Sequence, residues 1–287
     1  MSAESRSFRH HRSKAFAAHS PHHRVRDGLA VVGTPQIVEA KFAYGPTDKD
    51  LKDEDVEVDV FHDGKTERVG VFRTSKEGEG GPTDDGGRVR IVFEGAKAWP
   101  VGRHHFRFTV VGDSTSAEGL LVVVARDQAA FVSDVDGTLT ESEFAEVPAL
   151  MKNRLPAAHP GAARAYGLLA DRGYVPIYLT ARPEWLVSRT RAFLKENQFP
   201  EGVLVTKRDK SGALGPAAAV YKKAELAKIK ETVRLEWAFG NMPTDADAYA
   251  TLVSNPKRCV LYRRTDTVHG CRRIESYDEL VPELGPP

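Results

Sequence analysis

Cysteine is nearly missing: Cys259 and Cys271 are the only two in 287 residues, twelve apart and without CxxC spacing. That excludes a CxxC redox motif, and with no obvious thiol-activating neighbours the pair reads as one buried and one exposed thiol in a reducing compartment. Long apolar runs are missing too. No stretch approaches the ~20 residues that a bilayer-spanning helix needs, and the N-terminus lacks the apolar core of a secretory signal, so the expected location is cytoplasmic. Nor is there an excess of one charge: 41 Lys and Arg stand against 40 Asp and Glu, a formal net charge of +1, and no nucleic-acid partner is expected. With 41% hydrophobic and 28% charged residues the composition is that of an ordinary globular protein, of a length that suits two domains.

Charge gathers only at the start. Residues 1–26 hold Arg6, Arg9, Arg12, Lys14, Arg24 and Arg26 against Glu4, with five of the ten histidines. Residues 1–30 read as a basic, His-rich arm, either a tether for an anionic membrane surface or a solvated segment that lies on the body of the protein. The histidines lack metal-ligand spacing.

From Pro35 to Asp127 the pattern has period two. Val56, Val58 and Val60 alternate with acids, Val89, Ile91 and Phe93 with arginines, and Phe106, Phe108 and Val110 with polar residues. Such alternation marks half-buried antiparallel strands. Turn chemistry separates them, at Asp63-Gly64, Asp85-Gly86-Gly87 and Pro100-Val101-Gly102. Several short strands in so little chain predict a small all-β, immunoglobulin-like sandwich over residues 31–127.

After Gly119–Ala125 the grammar changes to short apolar runs alternating with helical stretches, which builds a parallel α/β sheet covered on both faces, over residues 128–287. Ligands of such sheets bind beyond the carboxyl ends of the strands. Four stations fall there. The run Phe131-Val132-Ser133 ends in Asp134-Val135-Asp136-Gly137-Thr138, two carboxylates that strand alternation turns to one side. Two like charges so close call for a hard cation with oxygen ligands, most simply Mg2+. The strand Val175–Leu179 ends in Thr180-Ala181-Arg182, a hydroxyl followed by a helix N-terminus suited to anions; alone, Thr180 reads equally as an N-cap. Lys222, Lys223 and Lys228 open a helix, and Trp237–Phe239 leads to Gly240-Asn241 and Asp245, oxygen donors for a metal.

Asp134-x-Asp136-Gly137-Thr138, Thr180, Lys223 and Asn241-x-x-x-Asp245 occur in the order of the motifs of the haloacid dehalogenase superfamily of phosphatases, which the chain resembles. More narrowly, DVDGTLT, YLTARP, KAELAK and AFGNMPTDADAY are similar to the lipin-type phosphatidate phosphatase domain. They also resemble the C-terminal part of retinal-degeneration-B type phosphatidylinositol transfer proteins, in which a sandwich likewise precedes a phosphatase-like domain. The resemblance implies Asp134 as nucleophile, Asp136 as general acid/base, Thr180 as phosphoryl-binding hydroxyl and Lys223 as the motif-three lysine, with Lys222 and Lys228 near enough to stand in for it. It implies Mg2+ on Asp134, Asp136 (through its carbonyl), Asn241 and Asp245, and substrate contacts at Gly137, Thr138, Ala181 and Arg182. In the transfer-protein branch the first acidic pair is degraded; here it is intact, which favours an active enzyme.

The implied fold is a haloacid-dehalogenase-like Rossmannoid sheet without a cap, since neither Thr140–Pro160 nor Glu184–Tyr221 leaves room for a large one. An open mouth admits large phosphoesters. The expected activity is Mg2+-dependent phosphomonoester hydrolysis through an aspartyl-phosphate, with phosphatidic acid as substrate. The alternatives are a non-catalytic, phosphatidate-binding lipid sensor or a capless phosphatase of phosphoproteins or other large phosphoesters. The expected partner is a phospholipid met by peripheral contact at a membrane, although no convincing amphipathic membrane helix is visible; Trp185 and Leu186 border the second motif. Oligomeric state is not legible.

Overall fold

The computed structural model describes residues 6–62, 64–79, 85–141, 154–208, 211–264 and 268–285. Two compact units divide the chain, Met1–Val123 and Val124–Pro287.

The first unit is a sandwich. Strands β1 (Arg24–Arg26), β2 (Gly28–Val31), β3 (Gln36–Lys41), β4 (Ala43–Tyr44), β5 (Lys49–Asp50), β6 (Asp55–His62), β7 (Lys65–Arg73), β8 (Arg88–Phe93), β9 (Gly102–Val110) and β10 (Ser116–Val124) follow one another. Eight of them form a sheet of order β1-β3-β8 and another of order β2-β10-β9-β6-β7, and β4 pairs with β5 as a separate two-stranded ribbon. The alternation seen in the sequence is what closes them: Val38, Ala40, Val89 and Ile91 of one sheet share a core with Val56, Val58, Phe106, Phe108 and Leu121 of the other. Alternate residues of an antiparallel strand point to opposite faces, so each strand supplies one apolar face to that core.

The sandwich takes in β1 and β2, which the sequence reading left in a basic arm. Its preceding segment, with α1 (His11–Phe16), lies on the same unit: the backbone N–H groups of Arg9 and His10 donate to the buried Glu54 carboxylate at 2.7 and 2.9 Å, and Phe8 and Phe16 pack against the core. Arg6 pairs with Glu57, Arg9 with Asp55 and His10 with Asp53. These three side chains meet the sandwich's own acids, so this part of the arm lies on the body of the protein, while Arg12 and Lys14 of α1 stay exposed.

In the second unit β11 (Ala129–Ser133), β12 (Val175–Pro183), β13 (Val203–Lys207), β14 (Arg234–Gly240), β15 (Cys259–Tyr262) and β16 (Arg272–Ile274) form one sheet of order β13-β12-β11-β14-β15-β16, with every pairing parallel. Parallel strands covered on both faces read as continuous apolar runs, and Val175–Arg182 is buried throughout. Helices α2 (Ala162–Asp171), α3 (Val187–Glu196), α4 (Gly215–Ile229), α5 (Pro243–Tyr249) and α6 (Val281–Leu284) accompany the sheet. Phe131, Tyr166, Phe193, Trp237, Phe239 and Tyr277 are at its core. Because β11 pairs with β12 on one side and β14 on the other, the chain order reverses between β11 and β14, and a crevice opens where the loops after those strands diverge.

One expectation is corrected and another falls outside what the structure describes. Cys259 and Cys271 are both buried and joined in a disulfide, since pairing β15 beside β16 brings their Cα atoms to 4.8 Å; the inference of a reducing compartment from free thiols goes with them. Absence of a cap after Thr140 turns largely on residues 142–153, which lie outside the described residues. No helix among the described residues is long and apolar enough to cross a membrane.

Phe131 is fully buried against Tyr166 and Phe239. Phe131→Ala is expected to cost the second unit about 3–5 kcal/mol, read as a lowered midpoint of its denaturant transition.

Candidate functional site

The crevice is floored by the loop that follows β11. Val135 is fully buried, so the two flanking aspartates are turned the other way. Gly137, at φ +72°, makes the left-handed bend that a side chain would strain, and its N–H donates to Thr140 Oγ1 at 3.0 Å. Deeper groups hold this loop: Ser133 Oγ donates to the Asp134 carbonyl at 2.6 Å, and the Tyr277 hydroxyl to the Thr138 carbonyl at 2.8 Å.

Lys222 joins three of the predicted stations. Its Nζ lies 2.7 Å from Asp134 Oδ1 and 2.9 Å from Asp245 Oδ1. Asp245 is fully buried, and its Oδ2 accepts the N–H groups of Asn241 and Met242, each at 3.1 Å. Gly240 permits this approach, since a Cβ there would stand 2.4 Å from that of Asp245. The expected lysine, Lys223, is exposed; the buried residues of α4 are Lys222, Leu226 and Ile229, and a one-residue step turns a side chain about 100° away. That 4-then-3 spacing was the signal available in the sequence. Burial pushes the Asp134 carboxyl up to about 7, opposed by Lys222 and assisted by Asp245 and Asp136. Burial works to lower Lys222, yet Asp134 and Asp245 together carry it well above the usual lysine range.

Asp136 is held differently. Arg182 Nε donates to Oδ1 at 2.9 Å and to Oδ2 at 3.2 Å, Arg182 Nη2 donates to Oδ1 at 2.7 Å, and Thr180 Oγ1 donates to Oδ2 at 2.9 Å. Arg182 is itself fixed by Thr190 at 3.1 Å. Both carboxylate oxygens of Asp136 are therefore engaged, and Arg182, expected as a substrate contact, is also its counter-ion. Thr180 is not an N-cap: β12 runs on to Pro183, and α3 begins only at Val187.

Among the described residues no three His, Cys, Asp or Glu side chains gather as a metal cage. Asp245, expected as a ligand, has both oxygens occupied. Asp134 Oδ2 and Asn241 Oδ1 instead converge on the Thr138 hydroxyl, at 3.3 and 3.0 Å. One hydroxyl proton serves one acceptor at a time, which leaves an oxygen-rich spot that fits a hard cation.

A cavity of about 330 Å3 opens over this floor, lined by Asp134, Asp136, Arg182 and Lys222 below and by Leu186, Leu214 and Met242 above, with Ala181 at its side. Gly137, Thr138 and Thr180 stand behind it, bonded to the carboxylates and their loop. Its lip was not seen in the sequence. Residues 211–221 carry no charge, and there Leu214 is 77% and Val220 70% exposed, with Trp185 at 38% nearby in the chain to Leu186. The run escaped notice because it is rich in alanine and glycine, without the periodicity of an amphipathic helix.

Lys222→Met leaves Asp134 and Asp245 buried and uncompensated, and is expected to destabilise the second unit by about 3–5 kcal/mol; Lys223→Ala is expected to stay within about 0.5 kcal/mol, both read by denaturant titration. The raised Asp134 means that the folded state holds a proton that the unfolded state releases near pH 4. The contribution of Asp134 to the stability of the second unit should therefore fall as pH rises from about 4 to about 7 and level off above, with the lowered His159 acting in the opposite sense. Asp134→Asn is expected to remove that slope, melting above the wild type at pH 8 and with it at pH 4 in metal-free buffer.

Comparison with known proteins places these features. Residues 131–261 match the family model described as PITM 1-3, LNS2 domain, and residues 21–123 that described as PITM 1-3, beta-sandwich domain. Membrane-associated phosphatidylinositol transfer protein 1 of Homo sapiens is 29% identical over 244 residues, 84% of this chain and 18% of the relative. Membrane-associated phosphatidylinositol transfer protein 2 of Mus musculus is 30% identical over 63% of this chain and 13% of its own length. Protein retinal degeneration B of Drosophila melanogaster is 27% identical over 63% and 14%. The chain thus spans less than a fifth of the curated relatives it matches. Likeness to solved structures is faint, as with a superoxide reductase from Ignicoccus hospitalis at TM-score 0.23 and 12% identity, over 37% of this chain and 81% of that one. The LNS2 domain is haloacid-dehalogenase-like, in keeping with the parallel sheet and the stations at its edge. This chain is homologous to the membrane-associated phosphatidylinositol transfer proteins, with a segment matching their beta-sandwich domain followed by one matching their LNS2 domain.

Proposed function

We propose that the second unit binds the phosphate monoester head group of a phospholipid, phosphatidate being the candidate, at a membrane surface. The observation that carries this is the junction of a charged floor with an uncharged, exposed lip in one cavity: Lys222 and Arg182 lie below with the carboxylates they pair with, Leu214 at the mouth, and Val220 further along the same uncharged run. Apolar side chains held out in water beside a pocket mark a surface that something apolar covers. A lipid supplies both halves, its phosphate to the floor and its acyl region to the lip. The printed names of the relatives, phosphatidylinositol transfer proteins associated with membranes, support a phospholipid partner.

The floor counts three carboxylates, Asp134, Asp136 and Asp245, against two cations, one negative charge in excess. A phosphate monoester therefore enters only with added positive charge, and Mg2+ is the proposed source, held by Asp134, Asn241 and the carbonyl of Asp136. When bound it would neutralise phosphoryl oxygens.

Hydrolysis is the second reading, favoured by the intact Asp134-x-Asp136 pair. It has Asp134 attack the phosphorus as the ester P–O bond breaks, Asp136 protonate the departing alkoxide, and water then release phosphate. Engagement of both Asp136 oxygens by Arg182 and Thr180 stands against it, since the proton donor must first be freed. Binding without turnover is the better supported of the two.

Sedimentation with phosphatidylcholine vesicles, with and without phosphatidate, decides between them when phosphate release is followed in the same tubes. Recruitment is expected to need both phosphatidate and Mg2+, and to fall about tenfold or more for Leu214→Glu and for Arg182→Gln. Phosphate release that Asp134→Asn abolishes would install the hydrolytic reading instead. Recruitment indifferent to phosphatidate would remove both.

A further inference from the structure

The sandwich unit has a concavity of its own. A cavity of about 370 Å3 lies where the β6–β7 hairpin meets the start of β9, lined by Phe61, His62, Lys65, Thr66, Arg103 and His105, with Gly64 at the turn. Strand pairing explains the gathering. His105 lies opposite Phe61 across β9 and β6, Phe61 opposite Thr66 across β6 and β7, and His62 opposite Lys65 at the hairpin end. Arg103 and His105, two apart on β9, share a face. By alternation His62 and Lys65, one residue along from Phe61 and Thr66, leave the strands on the other side, yet all four nitrogen-bearing side chains and the hydroxyl line the cavity at this end of the sheet; no carboxylate is among the described lining residues, Asp63 of the turn lying outside them. Glu67, next along β7, stands 3.7 Å from His62.

The charges here are unlike those elsewhere on the sheet. Arg68 is paired with Asp59 and Glu57, Arg73 with Asp55 and Arg107 with Glu118. Lys65 and Arg103 have no ion-pair or hydrogen-bond partner among the described residues, and both are exposed. Two uncompensated cations that face a concavity repel one another until an anion enters. A volume of this size lies within the range of small-molecule sites, about 300–1,000 Å3, and exceeds what inorganic phosphate alone would fill. Beside the two cations the Thr66 hydroxyl is a hydrogen-bonding group suited to another hydroxyl, and Phe61 supplies a wall, with Arg107 already over its ring at 4.8 Å.

We propose that this end of the sandwich is an anion site that takes a phosphorylated, hydroxyl-bearing head group. Lys65 and Arg103 receive the phosphates, and Thr66 with the wall of Phe61 meets the polyol. The same chemistry is carried by a free sugar or inositol phosphate and by the head group of a phosphorylated inositol lipid, and the source is for experiment to separate.

Isothermal titration of the whole chain with inorganic phosphate and with inositol trisphosphate tests it, beside flotation with phosphatidylcholine vesicles containing a minor fraction of phosphatidylinositol bisphosphate. Inositol trisphosphate is expected to bind saturably and more tightly than inorganic phosphate, and less tightly as salt is added. Lys65→Ala and Arg103→Ala are each expected to weaken it about tenfold, and Arg103→Glu to abolish it. Both positions are exposed, so melting temperatures should not move, and a variant that melts early is replaced by Lys65→Gln or Arg103→Gln. Binding of the soluble probe assigns a free head group as sufficient; vesicle flotation alone, lost in the double variant, assigns the lipid. Equal binding by the wild type and the Lys65/Arg103 double variant, or saturable binding of no probe, overturns the site.

Discussion

A single ammonium group, Lys222 Nζ, lies between the carboxylates of Asp134 and Asp245 in a place almost closed to water. Each of those acids would be expensive to bury alone, and the two together more so. The lysine comes from α4, Asp134 from the end of β11 and Asp245 from the first turn of α5, so the contact ties together the three segments that define the crevice. Asp245 extends the tie by accepting two N–H groups from the loop after β14. The switch point of the sheet explains why a crevice exists there; the buried lysine explains why its floor has one shape.

The second acid of the pair is neutralised by a different means, and the contrast bears on function. Asp134 keeps one oxygen toward Thr138 and the Asn241 side chain, whereas Asp136 is clasped by a guanidinium that is itself fixed by Thr190. One aspartate is left facing an oxygen-rich spot and the other is locked. Under the proposed reading, such an arrangement would hold a phosphate while leaving Asp136 unready to pass a proton. Function here is argued from the site and not from the fold. Burying Asp134 also costs stability at neutral pH, a cost typical of functional positions.

In the sandwich, by contrast, acids and bases largely cancel in pairs across neighbouring strands, and Arg6 and Arg9 near the start of the chain are used in the same way. Its period-two pattern was easy to read because burial of one strand face repeats every second residue whatever the partner strand. The arm was harder. A run of arginines and histidines looks the same whether it meets solvent, membrane or a set of acids fifty residues away, and only packing of Phe8 and Phe16 distinguishes these.

Sequence alone was enough for the two-part architecture, the parallel α/β order of the second part, and the placing of Asp134, Asp136, Thr180, Asn241 and Asp245 at strand ends. Each of these follows from local periodicity or from an abrupt change of residue type at the end of an apolar run. Tertiary structure alone decided which lysine turns inward, that Arg182 binds Asp136, that Asp245 is spent on Lys222 and backbone, that Cys259 meets Cys271, and that Leu214 faces outward at the cavity mouth with Val220 exposed further along α4. These depend on the direction of side chains from elements far apart in the chain, and a difference of one helical residue, about 100°, is invisible until the helix is docked.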